Sequence, residues 1–230
     1  MRFCLVLLFA AVVSGCVATK PIFKLGQTGQ IVDVEVAKAS AGMGTRNLAE
    51  DIRVKTQNEA YRYSETGPEK TLKVEVIRFQ APSAGAALFV STGSSSIHAA
   101  VTVIDKETGA KSPPVEVWAQ NFRTGGIIGA LAASMVDPIE DERRLATQLA
   151  EKIVLQVYGD EAAKRVENRT PTRQAEPDYP VSYAEESKRL ECRDIRIQNT
   201  MDDETANEQG QEPTPRTLPD YCGRFPAETS

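Results

Sequence analysis

The chain has one histidine and one tryptophan in 230 residues, and only 6% of its residues are aromatic. It has four cysteines, no internal repeat and no heptads. It also lacks any apolar run of the roughly 20 residues that a helix needs to cross a bilayer. Each shortage excludes something. A Ser-His or Cys-His catalytic arrangement would have to use His98, since no other imidazole exists. The "STGSSS" stretch nearby supplies hydroxyls but not a Gly-x-Ser-x-Gly elbow. Thiols without neighbouring histidines cannot complete a tetrahedral metal site. The glycine-rich "TGGIIGALAAS" (124–134) lacks the Lys-Ser/Thr ending of a phosphate loop. Asp137, Glu140, Asp141 and Glu142 crowd together without the glycine-bearing loop of a calcium motif, and read as compensation of a helix dipole. The net charge of −5 argues against a nucleic-acid partner. No cofactor, metal or catalytic set is therefore expected, and the chain reads as a non-enzyme.

What is present begins at the amino terminus. Arg2 precedes 11 apolar residues, Phe3 to Val13, and small residues follow. That pattern is a secretory signal, here 1–15. Its end, Val13-Ser14-Gly15-Cys16, resembles the lipobox of bacterial lipoproteins, with Val13 where that family usually has leucine. The resemblance implies a diacylglycerol on the Cys16 thiol, cleavage before Cys16 and acylation of the new amino terminus. Several acyl chains, at about 0.8 kcal/mol per buried methylene, hold a protein firmly to a bilayer. Val17 follows the cysteine, where an aspartate would imply retention in the inner membrane. The expected location is thus the bacterial cell envelope, anchored in the outer membrane and facing the periplasm.

Cys4 leaves with the signal and Cys16 carries lipid, so Cys192 and Cys222 remain. In an oxidising compartment such a pair is expected to join, closing a loop of about 30 residues.

Residues 16–29 read as a lipidated tether. "IVDVEVAK" alternates, with Val32, Val34 and Val36 on one side of a strand. Asn47 and Glu50 suggest a capping box for a following helix. "TLKVEVIRF" (71–79) is a second strand, and a short one at 87–91 would make a fifth. "IHAAVTVID" and "VEVWAQ" form a hairpin about the turn "KETG". At "DPIEDE", Asp137 is an N-cap, Pro138 suits the first helical position and Glu140 completes the box. The helix runs to Tyr158 and stops at Gly159, with Leu145, Leu149, Ile153 and Val157 as its buried stripe. Beyond it lie seven of the 13 prolines and all of the excess negative charge. Residues 160–230 are therefore expected to form an acidic, Pro-rich extension, mostly disordered. A short helix is expected at 182–197 and none at 200–219.

The order β-α-β-β-β-α predicts an α+β domain over 30–159: a two-layer, mostly antiparallel sheet of 4–5 strands with two helices on one face. This order, with "VTVIDKETG" in a hairpin and a glycine-rich apolar run before the last helix, resembles a group of bacterial envelope lipoproteins. The domain is similar to the small amino-terminal domain of the translocation protein TolB and to parts of the curli secretion lipoprotein. The resemblance reaches roughly residues 30–159 and carries over no functional residue except Cys16.

One candidate contact surface stands out: Gly125, Gly126, Ile127, Ile128 and Gly129, small and apolar but too short to span a membrane. Three functions follow. The first is an adaptor or assembly component that binds an envelope protein. The second is a subunit of an oligomeric outer-membrane assembly or secretion complex, a homo-oligomer included. The third is a periplasmic hydrolase built on His98.

Overall fold

The period-two pattern of "TLKVEVIRF" places Leu72, Val74 and Val76 on one face of a central strand, and all three are buried. The computed structural model describes residues 21–23, 29–37, 44–63, 66–81, 94–121, 137–166, 169–171, 173–209 and 215–225. Four strands make one open sheet: β1 (Gln30–Ala37), β2 (Glu69–Gln80), β3 (Ser95–Asp105) and β4 (Val115–Asn121), in that spatial order. β2 with β3 and β3 with β4 are antiparallel. β1 joins β2 in parallel, as the crossover through helix α1 (Leu48–Ala60) requires. The sheet is mixed, two of its three pairings are antiparallel, and the class is α+β. The strand considered at 87–91 lies outside the described residues.

Two helices cover one face. Helix α1 packs on β1, and α2 (Pro138–Tyr158) packs on β3, β4 and α1. Leu145, Leu149, Ile153 and Val157 are completely buried against Ile97, Ala99 and Val101 of the sheet's inner face. The start of α2 follows the sequence reading. The Asp137 carboxylate accepts from the Ile139 amide at 2.9 Å, and Pro138 opens the first turn. Gly159 ends the helix at φ 84°, a conformation that costs a side chain energy but not glycine. The β3–β4 hairpin also forms. Asp105 Oδ1 accepts from the amides of Glu107 and Thr108, and Gly109 turns at φ 70°.

Four expectations need correction. In β1 the buried residues are Ile31 and Val34, not the series Val32, Val34, Val36. The register slips between Ile31 and Asp33 against β2, so Val32 is the extra residue of a bulge and the alternation restarts after it. Asn47 makes no side-chain cap on α1; its Nδ2 donates instead to the carbonyl of Val181, 134 positions away. Residues 21–23, placed in the tether, are docked. The amides of Ile22 and Phe23 donate at 3.0 Å to the carbonyls of Gln156 and Val157, which the last turn of α2 leaves without helical partners. Phe23 is buried there against Tyr158, whose ring in turn stacks on Tyr63 beyond the end of α1.

The fourth correction concerns the extension. Helix α3 (Asp160–Val166) follows α2 directly, and α4 (Tyr183–Gln209) runs 27 residues. It includes residues 200–209, where no structure was expected. A composition rich in charge and poor in aliphatics argues against a self-sufficient core, but this segment is held by hydrogen bonds and ion pairs to the preceding domain at one end and by a disulfide in its middle.

Candidate functional site

The polar residues that weaken the amphipathic pattern of α1 are the ones that receive the extension. After α3 the chain turns back along α1, from its last turn to its first. Arg62 Nε donates to the carbonyl of Arg169 at 2.9 Å. The Ala175 amide donates to Asn58 Oδ1 at 2.6 Å. Arg53 Nη2 donates to the carbonyl of Glu176, and the Asp178 amide donates to Glu50. Asn47 holds the carbonyl of Val181 at 3.0 Å. This strap carries Pro171, Pro177 and Pro180, which suit an extended path and need no amide partner of their own. Its order comes from side chains of α1, not from a sheet or helix.

Where the strap reaches the first turn of α1, carboxylates from three helices meet. Asp51 (α1) accepts from the hydroxyls of Tyr179 and Tyr183 at 2.7–2.9 Å. Glu142 (α2) accepts from the Thr45 amide at 2.7 Å and from the Thr45 hydroxyl. Glu186 (α4) accepts from Arg46 Nε at 2.8 Å and from Arg189 at 2.6 Å. Arg143 lies over the ring of Tyr183. The three carboxylates are at most 2% exposed, so no substrate reaches them.

Their protonation differs with their partners. Burial raises Asp51 despite its two tyrosines and the nearby Arg143 and Lys55. Burial raises Glu142 most, to about 7; the Thr45 bonds pull against this, and the charges of Asp51 and Glu186 add to it. Burial acts on Glu186 too, but Arg189 and Arg46 outweigh it and hold that carboxyl below its ordinary value. Gly44, at φ 73°, lets the backbone close on Glu142: a Cβ there would sit 2.5 Å from Glu142 Oε2. The cluster is a clamp that joins α1, α2 and the extension.

Beyond the clamp, α4 becomes an arm. Cys192 and Cys222 are joined by a disulfide, which ties α4 to the 3-10 turn Asp220–Arg224. Arg196 donates to the carbonyl of Cys222, and the Tyr221 hydroxyl donates to Glu191. Asn199 holds the returning chain twice, at the amide and the carbonyl of Arg216. On this arm Ile197 is 52% and Met201 56% exposed. They stand four residues apart, and so on one helix face.

The other candidates fall elsewhere. Cys16 and the surface Gly125, Gly126, Ile127, Ile128 and Gly129 lie outside the described residues. His98 is on the sheet face opposite the helices, with Nε2 at 3.2 Å from Glu116 Oε2 and with Arg78 and Trp118 as its cross-strand neighbours. No serine, threonine or cysteine hydrogen-bonds to it among the described residues. A groove of about 460 Å³ between α1 and α2 is lined by Lys55, Glu59, Arg62, Thr147 and Glu151, a mixture of charges. Among the described residues no group of histidine, cysteine and carboxylate side chains could hold a metal ion, and no helix is long and apolar enough to cross a membrane.

Glu142 and Asp141 were read from sequence as dipole compensation alone. Both are buried, and Asn121 Nδ2 donates to Asp141 at 3.1 Å. Acids about one turn ahead of a leucine stripe, in the first turn of a helix, read as dipole compensation as readily as buried groups. The usable signal was the polar set Asp51, Thr56 and Gln57 on the inner side of α1, which asks for a polar cover.

The sequence matches no family model and no curated protein significantly. Solved structures with a similar arrangement include a minor lipoprotein from Acinetobacter baumannii, at 15% identity and TM-score 0.38, which covers 66% of this chain and 99% of that one. A candidate lipoprotein from Caulobacter crescentus matches at 14% and 0.34, covering 59% and 92%. A PelC dodecamer from Paraburkholderia phytofirmans matches at 17% and 0.31, covering 57% and 92%. At these scores the likeness carries no argument about the function of this chain.

Proposed function

We propose that the chain is a lipid-anchored envelope lipoprotein that acts as a non-enzymatic adaptor, with its C-terminal arm as the contact for a protein partner. The anchor rests on the lipobox Val13-Ser14-Gly15-Cys16, and the disulfide Cys192–Cys222 suits an oxidising compartment. The arm carries the reading. A long helix is held at its base by buried carboxylates and braced by a covalent link, yet it leaves Ile197 and Met201 uncovered. A pre-ordered helix with apolar residues at i and i+4 pays little entropy on docking into a groove. The polar groups of the clamp are engaged in holding this arm, and none is placed to react with a substrate.

The test is a photo-crosslinking residue at Ile197 or Met201 in the full chain, in intact cells, with Lys73 on the open sheet face as control. Adducts of defined mass at the arm and none at Lys73 support the adaptor. Absence of adducts at both arm positions removes it. Mass spectrometry of the mature protein tests the anchor separately: an unmodified Cys16 overturns it.

A further inference from the structure

The docked residues at the amino-terminal end set how the domain stands on its membrane. Four residues, 17–20, separate Cys16 from Pro21. Fully extended, the five steps from Cys16 to Pro21 span at most about 18 Å. Pro21 packs on Gly159, and Ile22 and Phe23 are hydrogen-bonded to the last turn of α2. The lipid therefore cannot be far from that end of the domain. The two helices run the same way, since Tyr63 stacks on Tyr158 at one end while the clamp joins Asp51, Glu142 and Glu186 at the other. A helix of 21 residues is about 31 Å long. The anchor and the arm thus belong to opposite poles.

The charge distribution has the same polarity. Helix α3, at the anchored pole, balances Asp160 and Glu161 with Lys164 and Arg165. The outer part of the arm, 200–209, carries Asp202, Asp203, Glu204 and Glu208 and no basic residue. An anionic lipid surface repels that end and tolerates the other.

We infer that the pole formed by Pro21–Phe23, the end of α2 and helix α3 rests against the phospholipid headgroups, with α2 pointing away from the bilayer and carrying the arm outward. This rests on acylation of Cys16, and its occupant is the bilayer surface itself. The acylated full chain is placed in liposomes of phosphatidylethanolamine and phosphatidylglycerol that carry a nitroxide on the lipid headgroup. The exposed Lys164 and Glu140 are replaced in turn, as Lys164→Cys and Glu140→Cys, and labelled with a fluorophore. Acylation of Cys16 and the native disulfide leave only the introduced thiol to label. Quenching several-fold stronger at 164 than at 140 is the expected result. Equal quenching, or stronger quenching at 140, on a sample whose Cys16 is acylated by mass spectrometry overturns the orientation and leaves the anchor standing. An unacylated Cys16 overturns both.

Discussion

Replacing Glu142 with glutamine changes the pH at which the fold is strongest. Glu142 is 2% exposed, and its carboxyl rises from an ordinary 4.5 to about 7 in the fold. The folded state therefore holds a proton that the unfolded state releases. The stability from this group is full below pH 4.5 and is lost as the pH climbs through 7. At about 1.4 kcal/mol per pH unit the full loss is about 3 kcal/mol, and most of it falls between pH 5 and pH 8. Glu142→Gln stays neutral throughout. Its amide oxygen can still accept from the Thr45 amide, and the Thr45 hydroxyl can turn to accept from the new amino group. Urea unfolding of both proteins, with the disulfide intact, gives the difference in stability at each pH. That difference should move in favour of the glutamine variant by about 2–3 kcal/mol between pH 5 and pH 8. Asp51 and the other carboxylates titrate in both proteins and cancel to first order. A difference that stays constant across this range would show that Glu142 is ionised at no cost, and the account of the clamp would fail.

Further outcomes follow from single contacts. Leu149→Ala, in the fully buried stripe of α2, should cost about 2–5 kcal/mol in urea unfolding. Asp137→Ala removes the cap on Ile139 and should cost about 1 kcal/mol, with m unchanged. Cys192→Ser should leave amide protection of the sheet intact while exchange rises over residues 192–224, because the disulfide closes a loop inside the extension alone.

Much of the domain was readable because its signals are local. The cap at Asp137, the stop at Gly159 and the period-two burial of β2 and β3 depend on neighbours a few residues away. The bulge at Val32 was not readable, since one inserted residue looks like any other in an alternating strand. The extension was misread for a different reason. Its helix lacks a strong apolar stripe, and its strap has no pattern at all; the strap is ordered by Arg62, Asn58, Arg53 and Asn47 and the helix by Arg46 and Asp51, all more than a hundred residues earlier. Of the candidate site, sequence marked the cysteine pair but not Asp51, Glu142 or Glu186, whose burial depends on three helices meeting.

The strap has a consequence for the order of events during synthesis. Residues near position 22 find their partners at 156–157, and those from 46 to 62 find theirs between 166 and 186. β1 can pair with β2 early, but residues 22–23 and the polar side chains from 46 to 62 cannot reach these partners until between about two thirds and four fifths of the chain has been made. High contact order of this kind slows folding. Such a chain stays open for longer after synthesis, because its own ends postpone its closure.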